Sequence, residues 1–326
     1  MPSAAGAGSS ASRGGAPWGA ILLGAAALLV LCPAPAWAWT PGTHVFLGEA
    51  VMRALVLVPG AIADLLRAFP HDFLYGSIAA DTSLAKKYAP AGRHCHSWTV
   101  GLDIYDEAGK DDPLRAFALG YLSHLAADVV AHNFFVPRQL AITSSSSGIG
   151  HTYWESRFET HLGTEAPRRA RELILLDHAH SDGLLDRILS PTIFTTPTNR
   201  RIFRGMVVAA DSESWQRIFQ ALMERSRWDL ADQEVGPYLA RSFDYIVDML
   251  LHLDGAEPFR YDPAGEHPLG RAKRVRREAL RVGGEDELLR VAAELYGMPE
   301  TPLRYAAGLP APIYPPAPPP NRSASS

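Results

Sequence analysis

The stretch DPLRAFALGYLSHLAADVVAHNFFV, residues 112–136, decides the fold of this chain. Aspartate followed by proline is typical of a first helical turn, and no helix breaker follows until Pro137. Most other segments carry signals of further helices, and none shows the alternation of a strand. The sequence therefore predicts an all-α fold, a single multi-helix domain with a metal site between helices.

Three residues of this stretch carry metal-binding chemistry. His124, Asp128 and His132 recur every four residues, so each lies only about 40° around the helix from the last and all three share one face. The two histidines are roughly 12 Å apart along the axis, too far for one zinc with bonds of about 2.1 Å. The spacing favours a row of metals bridged by Asp128. The alternative is a helix whose histidines are satisfied by neighbours and whose aspartate is exposed.

Further candidate ligands lie on both sides of this helix. His151 and Glu155 in HTYWE stand four residues apart, a spacing that lets two adjacent helical turns hold one metal. Asp81 in LYGSIAADTS and His96 in RHCHSW add a carboxylate and an imidazole. Two positions stay open: His94 competes with His96, and His161 either supports the site or lies on the surface.

The N-terminus has the pattern of a signal peptide. Residues 19–31 form an uncharged apolar core of 13 residues, and Ala36-Trp37-Ala38 fits the small-x-small rule for cleavage. Cleavage after Ala38 would leave Trp39 as the first residue, with its α-amino group five residues before His44. An uncleaved membrane anchor and a lipoprotein cut before Cys32 are the alternatives; prolines interrupt the span that an anchor needs.

Composition agrees with an exported globular protein. Removing residues 1–38 from the 326 leaves 288, and the net charge falls from -4 to -5 because Arg13 is lost. An acidic chain gives no indication of a nucleic-acid surface. Cys32 would leave with the signal peptide and Cys95 would be the one cysteine left, which excludes a disulfide framework. Residues 39–299 are predicted to be the helical domain and residues 300–326 a disordered proline-rich tail.

In this order the residues resemble those of the bacterial zinc-dependent phospholipases C, which share a trinuclear zinc site with fungal single-strand nucleases. The resemblance covers about residues 39–163 and implies three zinc ions. One would be held by Trp39, through its α-amino nitrogen and carbonyl oxygen, with His44 and Asp128. A second would take Asp81, His96, His124 and Asp128, and a third His132, His151 and Glu155.

The resemblance implies a secreted or periplasmic hydrolase, a monomer without a transmembrane segment after signal cleavage. It would meet phospholipid at a membrane surface and cut the phosphodiester to diacylglycerol and a phosphorylated headgroup. Asp81 would be a ligand, the general base or both. Nucleic acid is not the leading substrate, but a nuclease or nucleotidase with the same metals is an alternative, as is an inactive, metal-stabilised secreted binding protein.

This sequence departs from the family pattern in several places. His132 follows Asp128 by four residues where six are usual, so the helix is expected to continue where relatives bend, and the stretch between His96 and His124 is shorter than usual. No acidic residue lies beside Trp39, and Thr82 rather than an aromatic follows Asp81, so choline selectivity is not expected. Trp98, Phe134, Phe135, Tyr153 and Trp154 are candidates for an apolar lip around the site or for ordinary core packing.

Overall fold

The computed structural model describes residues 39–84, 88–90, 93–143 and 149–309. The predicted signal peptide, residues 144–148 of the serine-rich loop and residues 310–326 lie outside this set. Within the described residues there is no β-strand, and helices meet in one core. The all-α prediction is confirmed.

The α-helices are α1 Pro41–Arg53, α2 Gly60–Ala68, α3 Pro70–Ala79, α4 Trp98–Ala108, α5 Asp112–Val130, α6 Val136–Thr143, α7 Ile149–Thr160, α8 Glu165–Ile174, α9 Ala179–Ile188, α10 Thr196–Ala210, α11 Glu213–Arg225, α12 Asp232–His252 and α13 Glu266–Tyr296. Short 3₁₀ turns occur at Leu55–Leu57, Ala80–Thr82, Leu253–Gly255, Glu257–Arg260 and Ala306–Gly308.

The central helix α5 begins as predicted, and the helical run that it starts ends later than predicted. The Asp111 side chain caps it by accepting the Leu114 N–H at 3.1 Å. A π-helical turn, Ala131–Phe135, then joins α5 to α6, and its Val136 N–H bonds to the Ala131 carbonyl. Pro137 is the second residue of α6, where the hydrogen-bond ladder has just shifted and a missing N–H is tolerated, so the helix continues to Thr143 instead of stopping.

This continuous helix, Asp112–Thr143, is long and apolar enough to cross a membrane by length and composition alone. In the apolar 18-residue stretch of this helix, 94% of the residues are buried inside the protein, as in the core helix of a globular domain. It is therefore the element around which the other helices pack.

Helices α3 and α5 cross at two glycines. A Cβ on Gly76 would lie 2.0 Å from the Phe117 carbonyl oxygen, and one on Gly120 would lie 2.0 Å from that of Phe73. No residue with a side chain fits at either position without separating the helices. The close crossing brings the 3₁₀ turn after α3, which contains Asp81, against α5.

Residues 299–309 belong to the fold although residues from 300 onward were predicted to be a disordered tail. Asp244 on α12 accepts the backbone N–H groups of Arg304, Tyr305 and Ala306 at 2.6–3.0 Å. Arg241 donates to the Pro299 carbonyl at 3.2 Å. Charge-assisted bonds to backbone are among the stronger hydrogen bonds, and here they hold a segment that has little apolar surface of its own.

Candidate metal centre

Asp128 lies at the centre of a buried group of histidines. Its Oδ1 is 3.1 Å from His44 Nε2, on α1. Its Oδ2 is 3.1 Å from both His124 Nε2, one turn earlier on α5, and His96 Nε2, in the segment before α4. None of the four residues is more than 2% exposed. Imidazoles from three parts of the chain therefore converge on one carboxylate.

Asp81 extends this group on the side of α3. Its Oδ1 is 3.3 Å from His96 Nε2, and Asp81 itself is fully buried. Ligand atoms of His44, His124 and Asp128 lie within 4.8 Å of one another, and so do those of Asp81, His96 and His124. Both groups are compact enough to hold a metal ion.

A third group lies next to the first two. Ligand atoms of His132, in the π turn, and of His151 and Glu155, on α7, also lie within 4.8 Å of one another. His151 Nε2 is 2.6 Å from Glu155 Oε1, and the rings of His96 and His132 are 6.3 Å apart. His132 therefore lies with His151 and Glu155 of α7 and not with Asp128.

Backbone carbonyls orient two of the imidazoles. His124 Nδ1 lies 2.8 Å from the Ser77 carbonyl, and His132 Nδ1 lies 2.6 Å from that of Pro263. Because a carbonyl only accepts, each Nδ1 must carry the proton, so the lone pair of a neutral ring is on Nε2. His124 Nε2 therefore faces Asp128 Oδ2 and His96 Nε2, each 3.1 Å away.

The His44 and Asp128 side chains form a close, buried pair, with 3.1 Å between His44 Nε2 and Asp128 Oδ1. Desolvation, reinforced by the neighbouring His124, lowers the pKa of His44 to about 4, so the ring is neutral near pH 7. Burial raises the pKa of Asp128, but the facing His124, His44 and His96 outweigh it and hold this pKa well below its usual range.

This chemistry fits bound cations. Asp81, Asp128 and Glu155 are at most 1% exposed, and buried carboxylates need positive charge close to them. Lone pairs that face each other across about 3 Å repel unless a proton or a metal lies between them. Imidazoles and carboxylates are among the donors that zinc prefers, along with thiolates.

The positions of His94 and His161 differ from those of the clustered histidines, although the choice of metal ligands stays a prediction. His96 and not His94 reaches Asp128; the His96 backbone N–H donates to His94 Nδ1 at 3.0 Å, so His94 supports the turn. His161 lies 2.5 Å from Asp232 and joins none of the three groups.

Trp39 is buried against the α5 backbone. Its indole N–H donates to the Ala127 carbonyl at 3.1 Å, and its ring packs on Phe158 at 4.1 Å and Phe135 at 5.3 Å. The carbonyl that it contacts belongs to the residue before Asp128. The side chain thus fixes Trp39 beside the cluster, and ligation by its α-amino group stays a prediction.

The aromatic residues proposed for an apolar lip divide into two sets. Phe134, Phe135 and Trp154 are at most 7% exposed and pack in the core. Trp98 and Tyr153 are partly exposed; Trp98 stacks on Phe259 at 3.9 Å and donates to the Tyr261 carbonyl. Only the second set can contribute to a surface around the site.

Sequence reasoning missed two contributors. Residues beyond 170 were given no role at the site, yet the Pro263 carbonyl orients His132, and no pattern around Pro263 indicates this. Glu159 lies one turn after Glu155 and binds the N-terminal segment through Thr40 at 2.5 Å. Its spacing of four residues from Glu155 was the available signal.

Comparison with known protein families gives one match. The model of the zinc dependent phospholipase C family matches residues 43–189. No curated protein and no solved structure matches the chain. The matched segment contains every clustered residue described above: His44, Asp81, His96, His124, Asp128, His132, His151 and Glu155. Residues 43–189 therefore match the zinc-dependent phospholipase C family, the family that the order of the predicted ligands resembles.

Proposed function

We propose that this protein is a secreted zinc-dependent phospholipase C that hydrolyses phospholipids to diacylglycerol and a phosphorylated headgroup. The observation that carries the proposal is the buried cluster around Asp128 inside the family-matched segment. Residues 1–38 would be the signal peptide that directs export, and Trp39 the mature N-terminus.

Three zinc ions would be held by the three residue groups. His44 and Asp128, with the α-amino nitrogen and carbonyl oxygen of Trp39, would hold the first. Asp81, His96, His124 and Asp128 would hold the second, and His132, His151 and Glu155 the third. Zinc bound in this way would neutralise the anionic oxygens of the phosphodiester and lower the pKa of a bound water.

The protein side chains have separate tasks in this hydrolysis. Asp128 would neutralise part of the charge of two zinc ions, because its Oδ1 faces His44 and its Oδ2 faces His96 and His124. Asp81 is the candidate base: it would orient the attacking water and accept its proton, while the leaving glycerol oxygen gains a proton. The Ser77 and Pro263 carbonyls keep His124 and His132 in one tautomer through the reaction.

The test measures two products from the purified, exported protein. Diacylglycerol is followed with phosphatidylcholine in detergent micelles, and nucleotide release with single-stranded DNA, each before and after chelation and after zinc is returned. We expect diacylglycerol release that chelator abolishes and zinc restores. Nucleotide release alone would assign the nuclease alternative, and tight zinc binding without either product would assign the binding-protein alternative.

A further inference from the structure

Helix α11 presents an apolar face to solvent. None of its residues is buried, and Ile218 and Leu222 are each 55% exposed. Together with Trp215 and Phe219 they fall on one side of the helix, within about 100°. These four residues, with Ala221 and Arg225, line a shallow depression. A contiguous apolar surface of this kind is unusual on a protein unless a partner or a membrane covers it.

Charge is arranged asymmetrically around this face. Glu213 and Glu224 lie on the opposite side of α11, whereas Arg225 borders Ile218 and Leu222. Exposed Arg227 follows just after the helix, with its guanidinium 4.6 Å from the Trp228 ring. The apolar surface therefore has a cationic and aromatic edge at its C-terminal end.

The helix is attached to the element that carries two of the clustered residues. Tyr153, between His151 and Glu155 on α7, donates to Ser226 at 2.8 Å, just beyond the end of α11. The Tyr153 and Phe219 rings are 6.4 Å apart. Helix α11 thus covers the outer side of α7, whose inner side faces the candidate metal centre.

We propose that the apolar face of α11 docks the protein on a phospholipid bilayer surface. This inference rests on the proposed function, because it assumes a substrate that lies in a bilayer. An amphipathic helix lying flat would place Ile218, Leu222 and Phe219 at the acyl boundary and Trp215 at the level of the headgroups. Arg225 and Arg227 complement the lipid phosphates, whereas the acidic residues face away.

The experiment compares two variants with equal charge change. Ile218→Glu/Leu222→Glu alters the apolar face, and Arg217→Gln/Gln220→Glu alters the opposite face; each double substitution makes the net charge more negative by two. Binding is measured by flotation with vesicles of phosphatidylcholine and a minor fraction of phosphatidylglycerol. Hydrolysis is measured on these vesicles and on dissolved short-chain phosphatidylcholine, and thermal unfolding verifies the fold.

We expect the Ile218→Glu/Leu222→Glu protein to lose vesicle binding and vesicle hydrolysis by about tenfold or more, because two aliphatic side chains no longer enter the lipid. Hydrolysis of the dissolved lipid should stay within about twofold of the unaltered protein, and the control variant should resemble the unaltered protein in every assay. A neutral Ile218→Ser/Leu222→Ser variant should reproduce the loss.

Any of three results would overturn the docking surface. The Ile218→Glu/Leu222→Glu variant could bind vesicles as well as the unaltered protein, or it could lose hydrolysis equally on vesicles and on dissolved lipid. The unaltered protein could also fail to bind vesicles. If the unaltered protein forms a dimer in solution and the Ile218→Glu/Leu222→Glu variant is a monomer, the apolar face would be assigned to contact with a second copy of the chain instead. If no lipid is hydrolysed but vesicle binding is lost only in the apolar-face variants, the phospholipase assignment fails and the docking surface stands.

Discussion

The carboxylate of Glu159 and the hydroxyl of Thr40 are joined by a 2.5 Å hydrogen bond between α7 and the N-terminal cap of α1. The backbone N–H groups of Gly42 and Thr43 also donate to Glu159. The helix that carries His151 and Glu155 thereby holds the turn between Trp39 and His44. Glu159 is therefore a residue that positions one part of the cluster relative to another.

Glu159 gives the first prediction, a pH dependence of stability. Burial raises the pKa of this carboxyl from 4.5 to about 7, and the three hydrogen bonds oppose that rise only in part. A raised carboxyl pKa means that the native state binds more protons than the unfolded state between these values. Its stabilising contribution is complete below pH 4.5 and is lost as the pH rises through about 7.

Glu159→Gln removes the titration and keeps an acceptor for Thr40. We expect the free energy of unfolding of the variant, relative to that of the unaltered protein, to rise by about 1–3 kcal/mol as the pH is raised from about 5 to 8. Urea unfolding in chelator measures this difference, and subtracting the two proteins cancels the opposite pH trend that His44 contributes. A difference that is flat with pH would contradict the raised pKa.

Asp128 gives the second prediction because it alone contacts three histidines. Asp128→Asn keeps the size of the side chain but removes the negative charge, so we expect loss of about two of three zinc ions. Diacylglycerol release should fall by roughly a thousandfold or more, since metals supply several kcal/mol of charge stabilisation. Asp103→Asn, on a partly exposed residue that pairs with Arg93, is the control. Full zinc content and normal turnover in Asp128→Asn would exclude the bridging role.

The local part of the site could be predicted from the sequence. The i, i+4 spacing places His124 beside Asp128 and His151 beside Glu155 whatever else the chain does, because both pairs lie within single helices. Sequence signals also indicated most of the helices, although α3, α4, α6 and α9 were not among those predicted. Helix α3 is apolar around most of its circumference, so it has little periodic signal to detect.

The tertiary part of the site could not be predicted in the same way. Asp81 reaches His96 only because α3 and α5 approach at Gly76 and Gly120, and two isolated glycines have no periodicity. The Pro263 carbonyl reaches His132 from a segment 131 residues away. A backbone carbonyl has no sequence signature, so the orientation of His132 is visible only in the structure.

Gly265 gives the third prediction. Its φ is +58°, and a Cβ there would lie 2.5 Å from the Cβ and the carbonyl oxygen of His132. Gly265→Ala should therefore lower the free energy of unfolding by about 2–4 kcal/mol, from backbone strain and overpacking together. It should also weaken zinc binding at His132, His151 and Glu155 by about tenfold to a hundredfold, because the Pro263 contact is displaced.

The matched control for this variant is Gly270→Ala. Gly270 lies within α13 and has no atom within 4 Å of a built Cβ, so alanine there should be neutral or stabilise by up to about 1 kcal/mol. Chemical unfolding and zinc titration measure both effects. Equal behaviour of the two variants would show that the approach of Gly265 to His132 has no consequence for the site.

The mature N-terminus gives the fourth prediction. Intact mass of the exported protein should correspond to a chain that begins at Trp39. An alanine added before Trp39 converts the α-amino group to an amide, which is a poor metal ligand, so zinc content should fall by about one ion. An alanine added after Ser326 is the control. A chain that starts at Met1 or Cys32, or an unchanged zinc content, would remove Trp39 from the ligand set.

Headgroup preference gives the fifth prediction, that choline is not strongly required. A quaternary ammonium is stabilised by aromatic faces and a carboxylate, and each contact is worth on the order of 1 kcal/mol or more when desolvated. Beside Asp81 the chain has Thr82, whose hydroxyl donates to the Ala79 carbonyl at 2.7 Å, and the Glu159 carboxylate near Trp39 is engaged by Thr40. Neither group is available to bind choline.

We therefore expect kcat/KM values for phosphatidylcholine, phosphatidylethanolamine and phosphatidylinositol in matched micelles to lie within about a hundredfold of one another, roughly 2.7 kcal/mol. A larger preference for choline would mean that other aromatic residues, with Trp98 as the first to test by Trp98→Ala, form the binding site for the ammonium group.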